Sequence, residues 1–163
     1  MEAMRESPPH LTRLSAERVK QELEKTMDQI SRPSAAIRLW IETGAMKALV
    51  PALSEANDEA LRALDHAAQP GLARRPGRRL VRLAILASDL TGAAWFAVAT
   101  KLRFSKHDAQ WLSGLVERWR TVGSDMSTQL MAGPPSGPLL RRWIAGIGRT
   151  HLPAFFRLAE ARW

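Results

Sequence analysis

The 163 residues carry 24 basic and 16 acidic side chains, a net charge of +8, with 45% hydrophobic content and no cysteine. That hydrophobic share supports a folded core rather than a disordered tail, and the missing cysteines exclude disulfides and thiolate zinc sites. No run of about 18 apolar residues is present, and the opening MEAMRESPPH lacks a signal-peptide core, so a soluble cytoplasmic protein with no membrane partner is expected. Nineteen of the 24 basic residues are arginine. A planar guanidinium suits phosphate, which favours a polyanionic partner such as nucleic acid; a general compositional bias toward arginine is the competing explanation.

Pro8-Pro9 excludes a long helix at the start of the chain. Ser15 is a good N-cap, with Leu14 and Val19 at the hydrophobic-staple positions and Glu17 in the positive first turn. Ala16, Val19, Leu23, Met27 and Ile30 then follow helical spacing and define a buried face, opposite Arg18, Glu22 and Lys25. Ser31-Arg32-Pro33 marks a turn and a second helix start. Ala36, Ile37, Trp40 and Ile41 form the next apolar stripe, Arg38 and Glu42 lie opposite, and Gly44 is the C-cap. Trp40 on this stripe reads as core rather than as a base-stacking residue. A short apolar turn from Met46 to Val50 ends at Pro51.

Ala56 to Ala68 reads as a further helix with Ala60, Leu61 and Leu64 on one face, stopping at Gln69-Pro70-Gly71. The loop GLARRPGRR follows, carrying Arg74, Arg75, Arg78 and Arg79. The next helix, to Leu90, is apolar around most of its circumference, with Arg79, Arg82, Ser88 and Asp89 as its polar positions, and is expected at the centre of the domain. Gly92 separates it from the Ala-rich segment 93–102. Ser105 and Asp108 resemble a capping box opening a helix to about Val122, with Leu112, Leu115, Val116 and Trp119 inward. Residues 123–137 read as a linker or short helix, and Leu139–Ile147 with Leu152–Trp163 as a final helical pair. Without sustained period-two alternation, the fold class is all-α.

Enzymatic signatures are sparse. His107-Asp108 is an adjacent pair of the kind that holds a metal in HD phosphohydrolases. It lies in a first helical turn, however, where Asp108 is explained as a cap partner. A GxxxxGK phosphate loop and an Asp-x-Asp pair for two-metal nucleotidyl transfer are both missing. No catalytic residue, metal ligand or cofactor site is therefore assigned. Arg78, Arg79 and Arg82 fall in the first turns of a helix, where each positive charge opposes the macrodipole by roughly 0.3–1 kcal/mol. A bound phosphate would offset that cost, so this cluster is the best candidate for a functional site. Arg118, Arg120, Arg141 and Arg142 read as ordinary exposed faces.

Leu14-Ser15-Ala16-Glu17-Arg18-Val19 with Glu22, Leu23 and Lys25, then Ala36-Ile37-Arg38-Leu39 through Glu42-Thr43-Gly44 to Leu49, Pro51 and Leu53, resemble a known neck. It is that of the class II tRNA nucleotidyltransferase/poly(A) polymerase family. Further on, Leu83–Leu90 is similar to that family's HD-domain helix, with Ser88 where the family has His. Leu102-Arg103-Phe104-Ser105 and Leu115-Val116 are similar to the segments that follow. The resemblance implies a helical neck hairpin over 1–53, a degenerate HD-like body over 54–122 and a C-terminal helical pair over 123–163. It also implies tRNA or tRNA-like RNA as partner in 3′-end processing, with Arg18, Arg38, Arg74, Arg75, Arg78, Arg79 and Arg82 as candidate contacts. The family's catalytic head would precede Met1. The chain is thus expected to be inactive alone, either a piece working with an upstream or separate head or a stand-alone remnant. The alternative is a helical protein-interaction module using apolar surface around Trp143 and Trp163.

Overall fold

The computed structural model describes residues 14–67 and 77–163, and these are helical with no strand among them. Residues 1–13 with Pro8-Pro9, and the arginine loop at 68–76, lie outside the described residues. Helix α1, Ala16–Gln29, starts where Ser15 accepts a hydrogen bond from the Arg18 amide at 3.3 Å. It buries Val19, Leu23, Thr26 and Met27, while Leu14 and Ile30 remain partly exposed at its ends. Thr26 fits this apolar stripe because its hydroxyl donates to the Glu22 carbonyl at 2.8 Å.

Helix α2, Pro33–Glu42, has proline in its first turn, where a missing N–H costs nothing, but no capping side chain of its own. The cap comes from elsewhere. Asp65, near the end of helix α4 (Asp58–His66), accepts from the Ser34 amide at 3.0 Å and from its hydroxyl at 2.6 Å. Gly44 takes φ +75°, the left-handed conformation that ends α2 and opens the short α3, Ala45–Leu49. A single 3₁₀ turn, Pro51–Leu53, then leads to Asn57, whose side chain caps α4 at the Ala60 amide.

Helix α5, Arg78–Leu86, packs against α1, α4 and two later helices, α7 (Lys106–Arg118) and α10 (Leu152–Arg162), and every side chain from Val81 to Ser88 is buried. Its Leu83 and Ile85 are fully enclosed, each worth about 1.5–3 kcal/mol of apolar transfer. Helices α6, Gly92–Lys101, and α7, Lys106–Arg118, form a close hairpin. Gly92 permits the contact: a Cβ there would stand 2.7 Å from the Ser113 carbonyl oxygen of α7. The hairpin turn has the geometry of a Schellman motif, with the Arg103 amide donating to the Thr100 carbonyl and the Phe104 amide to the Ala99 carbonyl. Arg103 occupies the position glycine usually takes, at φ +62°. That conformation costs a residue bearing a Cβ roughly 1–2 kcal/mol.

The helix begun at α7 does not stop at Gly123. It passes through one π-turn, Trp119–Gly123, into helix α8, Ser124–Ala132, so of the two readings of 123–137, linker or short helix, the helix holds. Gly123 lies against the Trp119 ring, where a Cβ would come within 2.7 Å of the indole, so it serves packing rather than termination. Helices α9, Gly137–Ile147, and α10, Leu152–Arg162, return over α7 and α5, and buried side chains from the whole described chain join one continuous core.

Candidate nucleic-acid interface

The arginines that open α5 face inward and backward. Arg82 is 2% exposed and donates from Nη1 to the carbonyls of Met27 and Ile30, both at 2.9 Å, and from Nη2 to that of Ser31 at 3.3 Å. Arg78 donates to the Asp28 carbonyl, and Arg79 Nε stands 3.3 Å from Glu24 Oε1. All three therefore hold the C-terminal part of α1. The physics is coherent: the last carbonyls of a helix are unpaired and carry partial negative charge, so cations placed awkwardly at one helix start serve another helix end. Burial lowers the Arg82 pKa from the ordinary guanidinium value, and the charge of Arg78 lowers it further. With its guanidinium enclosed, Arg82 is a positioning residue and does not reach a phosphate.

The other expected contacts separate. Arg18 is exposed on α1, whereas Arg38 pairs with Asp58 at 2.5 Å and ties α2 to the start of α4. Arg74 and Arg75 lie outside the described residues. Arg118 departs from its expected exposed setting. It donates to the Ile147 carbonyl at 2.6 Å and the Gly114 carbonyl at 2.9 Å, fastening α9 to α7. Arg120 is held by Glu117, which lowers the glutamate pKa through that hydrogen bond and a second from the Gly92 amide.

Trp143 is likewise not a surface residue. It is 4% exposed, and its indole N–H donates to Asp125 at 2.6 Å, which holds the aspartate pKa below the usual carboxylate range. A polar partner for the indole is what makes this burial favourable. The protein-interaction alternative keeps Trp163, more than half exposed, and loses Trp143.

His107 is exposed, with Nδ1 3.5 Å from Asp108 Oδ1. In the Ser88-Asp89 pair, Ser88 Oγ is buried without a hydrogen-bond partner, while Asp89 is engaged by Asn57 at 2.8 Å and Arg162 at 3.8 Å. Among the described residues, no group of three or more His, Asp or Glu is arranged to hold a metal ion, and no helix is long and apolar enough to cross a membrane.

Exposed cations concentrate elsewhere. Lys101 and Lys106 flank the α6–α7 turn and Arg149 sits in the α9–α10 turn, with no ion pair among the described residues. Arg103, 72% exposed, has one long contact of 3.9 Å to Glu17. The charge count agrees: residues 1–57 hold eight basic and eight acidic side chains, and residues 58–163 hold sixteen and eight. Comparing the two parts by charge is the sequence signal that reading for motifs passes over.

Residues 1–57 match the family model described as "Probable RNA and SrmB- binding site of polymerase A". This part of the chain, which ends at the cap residue Asn57 of α4, is similar to the RNA-binding part of a poly(A) polymerase. No curated protein and no solved structure matches the chain.

Proposed function

We propose that this chain is an RNA-holding module for tRNA or a tRNA-like RNA. It would serve 3′-end processing beside a nucleotidyltransferase head supplied upstream or by a separate chain, and would be inactive without one. The observation that carries the reading is the match of residues 1–57 to the RNA-binding region of polymerase A. The excess of arginine supports it, because phosphate contacts provide sequence-independent affinity and fix the orientation of the nucleic acid.

In this reading Arg18, Arg38, Arg74 and Arg75 supply backbone contacts, with Arg78 and Arg79 beside them. Arg82 contributes by holding α1 in place. The helix around Ser88 and Asp89 works as a scaffold, since Asp89 is already used by Asn57 and Arg162.

The test is fluorescence anisotropy with labelled tRNA and with a single-stranded RNA of similar length. The proposal expects saturable binding to both and a several-fold preference for tRNA. Equal affinity would remove the tRNA-like part of the reading, and no binding to either would overturn it.

A further inference from the structure

The part of the chain that matches the RNA-binding family carries no net charge, and four of its eight cations are paired within the described residues. Lys20 is 4.0 Å from Glu24, Lys25 is 3.0 Å from Glu22, Arg32 is 3.7 Å from Asp65, and Arg38 is held by Asp58. A part with as many carboxylates as cations releases few counterions when it meets a polyanion and so contributes little to phosphate-driven affinity. The whole excess of +8 belongs to residues 58–163.

Within that part the α6–α7 turn stands out on two independent grounds. First, Lys101, Arg103 and Lys106 fall within six residues, all exposed, around the buried Phe104 that anchors the turn edge-on against Trp95. The carboxylates close by are few: Glu17 lies 3.9 Å from Arg103, and Asp108 faces His107. Second, Arg103 is the sole non-glycine residue with positive φ among the described residues. Glycine would sit there without strain, yet the chain carries a long cationic side chain that makes no hydrogen bond within the described fold. Glycine would make the same backbone hydrogen bonds, and a single long contact to Glu17 repays little of the strain, which points to a role for the side chain outside the fold.

The turn is also placed to serve the neck. Lys20 of α1 lies over the Phe104 ring at 5.0 Å, so the start of α1 rests on the turn. Along α7, the α9–α10 turn is pinned by His151 Nε2 to the Trp111 carbonyl at 3.0 Å and by Arg118 to Ile147. Arg149 is exposed in that turn. Five residues separate Lys106 from Trp111, about 7.5 Å along the helix axis. The turn that carries Arg149 is therefore pinned to α7 at points beyond Lys106.

Resting on the RNA-binding reading, we infer that the α6–α7 turn, with Lys101, Arg103 and Lys106 and extended by Arg149, is the main docking surface for the RNA phosphate backbone. The neutral neck then supplies shape and orientation rather than most of the electrostatic affinity.

The experiment compares three full-length proteins, each binding a labelled single-stranded RNA over a range of salt: the natural chain, Lys101→Gln/Arg103→Gly/Lys106→Gln, and a neck variant at two exposed cations outside the candidate contacts, Lys25→Gln/Lys47→Gln. Circular dichroism confirms that each is folded. The turn variant should lose at least about tenfold in affinity at moderate salt, and its slope of log K against log salt should flatten by roughly 2, near 0.7 per lost single-strand contact. The neck variant should keep most of the slope. An unchanged slope in the turn variant, or a flattened slope in the neck variant alone, overturns this assignment and leaves RNA binding standing. Failure of the natural chain to bind RNA at all would instead remove the reading on which it rests.

Discussion

Replacing Arg82 with methionine isolates the grip of α5 on α1. The substitution keeps a long side chain in a site that is almost fully enclosed, and removes only the guanidinium. Three carbonyl oxygens, of Met27, Ile30 and Ser31, then lose their donor. A buried acceptor left unsatisfied costs about 1–3 kcal/mol, and the three are not additive, because two of them border solvent and water can reach them. Against this, removing a buried cation relieves its desolvation, a gain that in some proteins makes an apolar replacement neutral.

Here the loss should win. The acceptors are fixed backbone at a helix end, and they remain after the substitution, whereas an ion pair replaced as a unit leaves nothing behind. A net destabilisation of about 2–4 kcal/mol is expected, lowering the melting temperature by roughly 5–15 °C for a chain of this length. Arg82→Lys should recover little of it, since one ammonium cannot span acceptors that the guanidinium reaches with two separate nitrogens. Urea unfolding followed by circular dichroism measures both. An Arg82→Met protein within 0.5 kcal/mol of the natural chain (roughly the spread of neutral surface changes) would refute the claim that the guanidinium secures α1.

Two further outcomes follow from single residues. Arg103→Gly relieves the left-handed strain and should raise stability by up to about 1 kcal/mol while weakening RNA binding, a pairing of effects that calorimetry and anisotropy read separately. His151 is buried against Trp111 and beside Arg118, and desolvation first, then the Arg118 charge, lowers its pKa below the ordinary 6.5. Its neutral form is the folded one, so the unfolded chain binds the extra proton. Stability is then full above about 6.5 and falls as pH drops below it toward the folded-state pKa, before the carboxylates of Asp125 and Glu117 contribute their own acid losses. Urea midpoints measured in that window should drop for the natural chain and stay flatter for His151→Gln.

Local signals in the sequence carried most of the fold. Ser15 and Ser105 cap the helices they were expected to cap, Gly44 turns where a left-handed residue was needed, and the apolar run after Arg79 forms the central helix. What escaped was decided by distant partners. Arg82 looked like the polar side of a buried helix because its acceptors stand more than fifty residues earlier. Trp143 looked like an exposed ring because Asp125, eighteen residues before it, supplies the acceptor that makes its burial tolerable. The helix from Ser105 was expected to run only to about Val122, because the fit of Gly123 against the Trp119 ring does not show in one dimension. The candidate interface was legible in part: arginine pointed to a polyanion. Which arginines are free to meet one depended on the folded contacts of Arg78, Arg79 and Arg82, and a search for clusters along the chain favoured those three.

The central claim, that this chain holds RNA through its backbone phosphates, is tested most directly by the salt dependence of tRNA affinity for the full chain. With about four cations engaged, log K should fall linearly with log salt at a slope near −3 to −4, and the affinity should fall roughly a hundredfold between about 50 and 200 mM salt. A salt-insensitive affinity, or no saturable binding at low salt, would contradict it.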